Sequence, residues 1–419
     1  MLALLAKRPR SSISGGATVP KFSPNLMRSI LLITHRWAGL TIALAMIVTG
    51  LTGAVLPFQR ELREWIAPDV WIVEQPEGGA RILSGIELAD RVERQTGGVV
   101  SYIQLSPDPD RAQSIFLSPR PGGPALGFDQ VFVDPYTADI RAKVRFADLR
   151  DGAVNVMPFL ISFHYSLAAG LWGQRVMGAA ALIWLVTSIV GLALTLPPRG
   201  IGFGKRWLPA WGVRRDKGGH ALNYDLHRAT GLWLFPVMIV FAWSAVAFNL
   251  PEVHEPVQRM FGGQGLYAPV DNPAPARGAP MSREDAARTG ARLMAEEAQK
   301  RGFAVHSAGA LSFNPYSQVI GFYARTSLDG PTHQGATAVW FDQVSGQQLA
   351  FRPPFGSTSA DAVDKAFRML HTAALFGGPY RIFVSVFGLL TAGMATAGVL
   401  LWLRRTGVRK SVREKGGER

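Results

Sequence analysis

Residues 35–40 read HRWAGL, and residues 227–232 read HRATGL. Each hexapeptide opens an uncharged, largely apolar run: Trp37 to Gln59, closed by Arg60, and Ala229 to Pro251, closed by Glu252. Two further runs obey the same rule, Val176 to Pro198 between Arg175 and Arg199, and Ile382 to Leu403 between Arg381 and Arg404. A hydrocarbon core of ~30 Å needs roughly 20 helical residues at ~1.5 Å each, so all four runs have spanning length. A buried helix of a soluble fold explains one such run poorly and four hardly at all. The first is read as a retained anchor rather than a signal peptide, because its apolar run is too long and no small-residue cleavage site follows it.

Basic residues orient the spans, since positively charged loops stay in the cytoplasm. Before the first span stand Lys7, Arg8, Arg10, Lys21 and Arg28 with no acid. The loop between the second and third spans holds Arg199, Lys205, Arg206, Arg214, Arg215 and Lys217 against Asp216 and Asp225, and the C-terminal tail is similarly basic. These three segments carry the whole net charge of +14. A nucleic-acid partner, which a strongly basic chain first suggests, loses its motivation. Both termini are expected in the cytoplasm and the two long intervening segments outside, with lipid as the surrounding partner.

The expected division is a tail over 1–29, a span over 30–58, an external α+β domain over 59–154, an interfacial segment plus span over 155–198 and a cytoplasmic loop over 199–226. The second half repeats it as a span over 227–251, an external domain over 252–360, an interfacial segment plus span over 361–403 and a tail over 404–419. Within the external segments the helical pattern Ser84 to Thr96 and the strand runs Val99 to Leu105, Ser114 to Leu117 and Val131 to Val144 recur as Ser282 to Arg301, Gly309 to Phe313, Val319 to Arg325 and Ala338 to Phe351. The two HRxxGL motifs are offset by 192 positions, and His164 and His371, which precede the second and fourth spans, by 207. The fold class expected is therefore an α+β membrane protein of four transmembrane helices in two pseudo-twofold repeats.

The chain has no cysteine. Disulfides, thiolate nucleophiles, thiolate zinc sites, cysteine-held iron–sulfur clusters and covalent haem attachment are excluded. Four of the eight histidines occupy matched positions: His35 with His227 at helix starts, and His164 with His371 before helices entering from the other face. One interfacial His-Arg pair would be read as a headgroup anchor. Two duplicated pairs, beside glycines that admit a flat ring, favour axial ligation of haem iron without any sulfur. Two b-type haems follow, with these four histidines as iron ligands. Arg36, Arg228, Arg175 and Arg381, placed near helix N-termini where a cation opposes the dipole, call for anionic partners such as propionates or lipid phosphates. His164 lies far enough before Arg175 that the chain must bend, at Gly173 in the first half and at Gly377-Gly378-Pro379 in the second, after interfacial segments Asn155 to Trp172 and Asp361 to Phe376. His220, His254, His306 and His333 lack a repeated partner, and His254 is the first substitute ligand. The tryptophans and methionines of the spans are read as packing.

With HRxxGL twice, FHYSLAAGLWGQ before span two, LHTAALFGG before span four and the strand pair VFVDPYTADI, the chain resembles the PepSY-associated transmembrane family from about Met27 to Arg405. It departs from that pattern in having Ala168 where many relatives carry a second histidine. The resemblance implies PepSY-like external domains, b-type haem on His35, His227, His164 and His371, and reduction of periplasmic ferric siderophores. No GxGxxG loop follows a strand, so a separate cytoplasmic reductase or a quinol must supply electrons. Two other functions are expected alternatives: a quinol-linked cytochrome b subunit serving another periplasmic acceptor, and a non-enzymatic PepSY regulator of a periplasmic protease. The chelate and any catalytic residue carry no readable motif.

Overall fold

The computed structural model describes residues 24–120, 122–265, 269–314, 317–330 and 335–416, with side chains over 405–416 excluded. The basic residues Lys7, Arg8, Arg10, Lys21 and Arg419, and His333, lie outside the described residues.

Helix α1 (Pro24–Val55) continues through a 3-10 turn into α2 (Gln59–Ile66) and the short α3 (Pro68–Trp71). The first external segment then forms α4 (Gly85–Thr96) and strands β1 (Val99–Val100), β2 (Tyr102–Gln104), β3 (Gln113–Ser118), β4 (Gln130–Val133) and β5 (Ile140–Val144). Helices α5 (Val156–Ser166), α6 (Gly170–Thr195), α7 (Phe203–Trp207), α8 (Gly218–Asn249) and α9 (Pro251–Met260) follow. The second external segment holds α10 (Arg283–Arg301) and β6 (Val305–Asn314), β7 (Val319–Thr326), β8 (Thr337–Asp342) and β9 (Gln348–Arg352), before α11 (Ser359–His371) and α12 (Gly377–Gly416).

Four helical stretches, Leu26–Ile66, Gly170–Thr195, Gly218–Asn249 and Gly377–Arg404, are long and apolar enough to cross a membrane. Their outward faces expose large apolar residues such as Leu44, Ile189 and Leu389, a surface suited to lipid rather than water. Inside the bundle, Ile42, Trp184, Met238, Phe241, Val384 and Phe387 pack together. Helices α1 and α12 cross closely at two glycines: a Cβ on Gly50 would stand 2.7 Å from the Gly388 carbonyl oxygen, and one on Gly388 2.6 Å from that of Gly50. Small residues allow this backbone approach, which in lipid must rely on van der Waals contact.

The spans begin earlier than the uncharged runs. Helix α1 starts at Pro24 and α8 at Gly218, so His35 and His227 lie two to three turns inside their helices rather than at the starts. Arg36 and Arg228 consequently sit beyond the first turn, where the dipole has faded, and Arg175 and Arg381 lie in the second turns of α6 and α12.

The external segments form two antiparallel sheets, β1-β3-β4-β5 and β2-β6-β7-β8-β9. The run Val99 to Leu105, read as one strand, breaks at Ser101. Its second piece leaves the first sheet and pairs with β6, Ile103 opposite Leu311. One core results, in which Leu88 and Val92 of α4 and Leu293 and Met294 of α10 share a cluster with Ile103, Val131, Phe322 and Phe341. The shared strand and core join the two external segments, read from the sequence as separate domains, in one continuous body. Helix α4 starts where Ser84 and Glu87 form a reciprocal cap and stops at Gly97, whose φ of 71° lies in the left-handed region that favours glycine.

Candidate functional site

His35 and His227 reach into the bundle from α1 and α8. The His35 Nδ1 lies 3.1 Å from the Thr187 carbonyl oxygen on α6, and the His227 Nδ1 lies 2.9 Å from that of Met394 on α12. A carbonyl can only accept, so Nδ1 carries the proton in both rings and Nε2 keeps its lone pair. Each ring rests on a glycine one turn further along the partner helix: a Cβ would fall 3.0 Å from His35 Cε1 at Gly191 and 3.2 Å from His227 Cε1 at Gly398. The ring centroids stand 6.1 Å apart, with planes at 69°.

His164 and His371 form a second pair, centroids 6.3 Å apart and planes at 80°. They are delivered by sharp turns before α6 and α12, where Leu167, Ala168 and Gly170, and Ala373, Phe376 and Gly377, all have positive φ. For the non-glycine residues that conformation costs roughly 1–2 kcal/mol each. The second bend falls at Gly377, but the first comes at Leu167 to Gly170 rather than at Gly173. Gly173 instead packs so tightly that a Cβ would stand 1.7 Å from the Ser166 oxygen. Here the acceptors of Nδ1 are hydroxyls: Thr52 Oγ1 at 2.9 Å from His164 and Ser244 Oγ at 2.7 Å from His371. Each hydroxyl gives its single proton to a helix carbonyl, Val48 or Val240, at 2.7 Å. Toward the imidazole it must therefore accept, and Nε2 is again the bare nitrogen. Gly53 lies against His164. His371 is stacked on Phe241 at 4.7 Å and meets Phe248 edge-on at 5.6 Å.

Among the described residues no group of three or more His, Asp or Glu gathers to hold a metal. Each site offers two nitrogens only. The anchoring residues were not singled out in the sequence, although a signal existed. Thr52 and Ser244 are separated by 192 positions, Thr187 and Met394 by 207, and Gly191 and Gly398 by 207, the offsets of the histidines themselves.

A cavity of about 930 Å³ contains the His35–His227 pair and is lined also by Arg28, Arg36, Arg228 and Arg404, with no carboxylate among its described lining residues. Arg228 is held by the wholly buried Asp225, 2.9 Å away, and by the Pro209, Ala210 and Gly212 carbonyls. Asp225 also binds Arg214 through both of its oxygens, at 2.7 and 3.0 Å. Arg36 faces the cavity. The other two predicted arginines have protein partners at the far ends of spans. Arg175 pairs with Glu252, while Arg381 pairs with Glu61 at 2.6 Å, donates to the Pro57 carbonyl and covers the Phe58 ring.

Of the remaining histidines, His220 lines the cavity and His306 is exposed on β6. His254 is buried with its Nε2 3.0 Å from Asp364, whose other oxygen takes Arg368 at 3.1 Å. That contact ties His254 through Nε2 to helix α11.

Four apolar spanning helices, two antiparallel sheets between them and histidines gathered in two facing pairs define a multi-pass α+β membrane protein with two candidate metal or cofactor sites. The chain belongs to the PepSY-associated TM region family, which it matches over residues 32–405. No curated protein matches it.

Proposed function

We propose that the protein is an inner-membrane reductase with two b-type haems, one held by His35 and His227 and the other by His164 and His371, serving a ferric siderophore in the periplasm. The observation that carries this reading is the spacing of the two rings in each pair, each with its Nδ1 hydrogen-bonded and its Nε2 left bare. A metal stands about 2 Å from an imidazole nitrogen, and the ring centre lies roughly 1 Å behind it, so two axial imidazoles have centroids roughly 6 Å apart. The observed separations are 6.1 and 6.3 Å. Two ligands leave four coordination positions open, which a tetrapyrrole supplies and a bare ion would have to find in protein.

The residues present suit that group. Hydrogen bonds at Nδ1 fix tautomer and ring direction, the usual outer support of a ligating histidine. Gly191, Gly398 and Gly53 leave room for the Cε1 edges of three of the rings against neighbouring helices. Arg28, Arg36 and Arg404 offer charge to carboxylates at the open end of the cavity. Bound there, two haems would supply one-electron transfer between the membrane faces, the chemistry by which Fe(III) in an oxygen-donor chelate becomes weakly held Fe(II). The matched ring contacts at offsets of 192 and 207 support two halves related by a pseudo-twofold axis along the membrane normal. Arg28, Arg199, Lys205, Arg206 and Arg404, all at one end of the spans, support cytoplasmic termini. A quinol or a separate reductase would donate electrons at the cavity mouth.

The test is the absorption spectrum and haem stoichiometry of the purified chain. Two haems with a Soret band and split reduced α/β bands are expected, and His35→Ala or His227→Ala should remove one equivalent while leaving the other. A colourless protein ends the reading. Growth on a ferric siderophore by a strain carrying a chain without the four histidines would instead favour a non-enzymatic PepSY regulator.

A further inference from the structure

The two histidine pairs share ring spacing and tautomer but differ in what accepts their Nδ1 protons. His35 and His227 donate to backbone carbonyls, at 3.1 and 2.9 Å. His164 and His371 donate to hydroxyls, at 2.9 and 2.7 Å. Carbonyls of Thr49 and Phe241 also face those two rings, which reinforces the tautomer, but the hydroxyls are the hydrogen-bonded partners. An amide carbonyl is the stronger acceptor. It pulls harder on the N–H, makes the imidazole a richer donor through Nε2, and stabilises an oxidised metal over a reduced one.

Resting on the di-haem reading, we infer that Thr52 and Ser244 are positioning residues that set the reduction potential at the His164–His371 pair above that at the His35–His227 pair. This makes electron transfer from the basic face to the external body run downhill. Environment acts in the same direction. The His164–His371 pair touches Phe241 and Phe248, and an apolar surround disfavours the extra charge of the oxidised centre. The arginines near the other pair oppose this order, but Arg228 is tied to Asp225, which it shares with Arg214, and Arg28 and Arg404 are exposed, where water and salt screen them, leaving the half-buried Arg36 as the main opposing charge.

The design is one a chain can adjust on one side only. No substitution removes a backbone carbonyl, so the potential at His35–His227 serves as an internal reference. The hydroxyls can be removed with little change of shape by Thr52→Val and Ser244→Ala, and restored by Thr52→Ser and Ser244→Thr.

The experiment is a potentiometric titration of the purified full chain, followed at the α bands, with His35→Ala assigning which potential belongs to the hydroxyl-anchored pair. Two potentials are expected, separated by at least a tenfold difference in reduction equilibrium, 59 mV for one electron, with the hydroxyl-anchored pair higher. Thr52→Val and Ser244→Ala should raise only that potential, at unchanged haem content, and the conservative replacements should leave it in place. Equal or reversed potentials, a downward shift, no shift, or loss of a haem from both variants overturns the inference while the di-haem reading stands. Absence of haem from the unmodified chain overturns both.

Discussion

The bundle and the external body treat the two halves of the chain differently. In the bundle, contacts recur at matched positions: His35 on Thr187 and His227 on Met394, His164 on Thr52 and His371 on Ser244, Arg175 with Glu252 and Arg381 with Glu61. In the external body the match breaks. The ten-residue β6 has as its counterpart two short pieces, β1 and β2, and the second of these joins the other half's sheet. Two rings that meet across the bundle at 6.1 and 6.3 Å tolerate little displacement, which penalises divergence on either side. A sheet edge must only be paired, and the other half's β6 satisfies it as well as its own would.

The largest expected effect lies at the tightest point of the bundle. Gly50→Leu drives a side chain into the backbone of α12, which cannot rotate away. Overpacking in a core usually costs about 1–3 kcal/mol, and a backbone obstacle places this substitution at or beyond the top of that range. Thermal unfolding in detergent should show a large loss, whereas Gly393→Leu, with open space around its Cβ, should be tolerated. Similar melting of the two would mean that the α1–α12 crossing is loose and that the ring contacts alone preserve the bundle.

Next comes the strand that crosses between sheets. Ile103 is 3% exposed, and Ile103→Ala should cost about 2–5 kcal/mol. Because β2 is bonded to β6 while its chain neighbours belong to the first sheet, hydrogen exchange should accelerate in both sheets together. Acceleration confined to β6 and β7 would show two independently stable domains and would restore the matched-halves picture to the external body.

What the sequence disclosed follows the same division. Histidines are rare, so a repeated offset among four of them is visible. Threonine and serine inside an apolar run look like packing, and Thr52 and Ser244 passed unremarked although they share that offset. Helix starts are hidden because Arg28 and Arg36, and Asp225 and Arg228, end an uncharged run without ending a helix. Asp225 is accommodated by Arg228, one turn along its own helix, and by Arg214, which the fold brings near. The break at Ser101 was illegible for another reason. Val99 to Leu105 reads as one strand by pattern, and pattern carries no record of which distant strand will be its neighbour.

The smallest effect is expected where bundle and body meet, at Arg175 and Glu252. The Glu252 carboxyl is held below its usual value by backbone hydrogen bonding at the start of α9 and by the Arg175 guanidinium. A lowered carboxyl contributes stability that is fully present above the ordinary value of about 4.3 and is lost as pH falls through the folded-state value. Glu252→Gln should therefore melt slightly below the unmodified chain at pH 7 and level with it in acid, once the native carboxyl is protonated too. The pair is exposed to solvent, so added salt should shrink the neutral-pH difference. A difference that persists unchanged in acid would assign Glu252 a packing role at the end of α8 and leave Arg381–Glu61 as the pair in which charge ties one half's span to the other's.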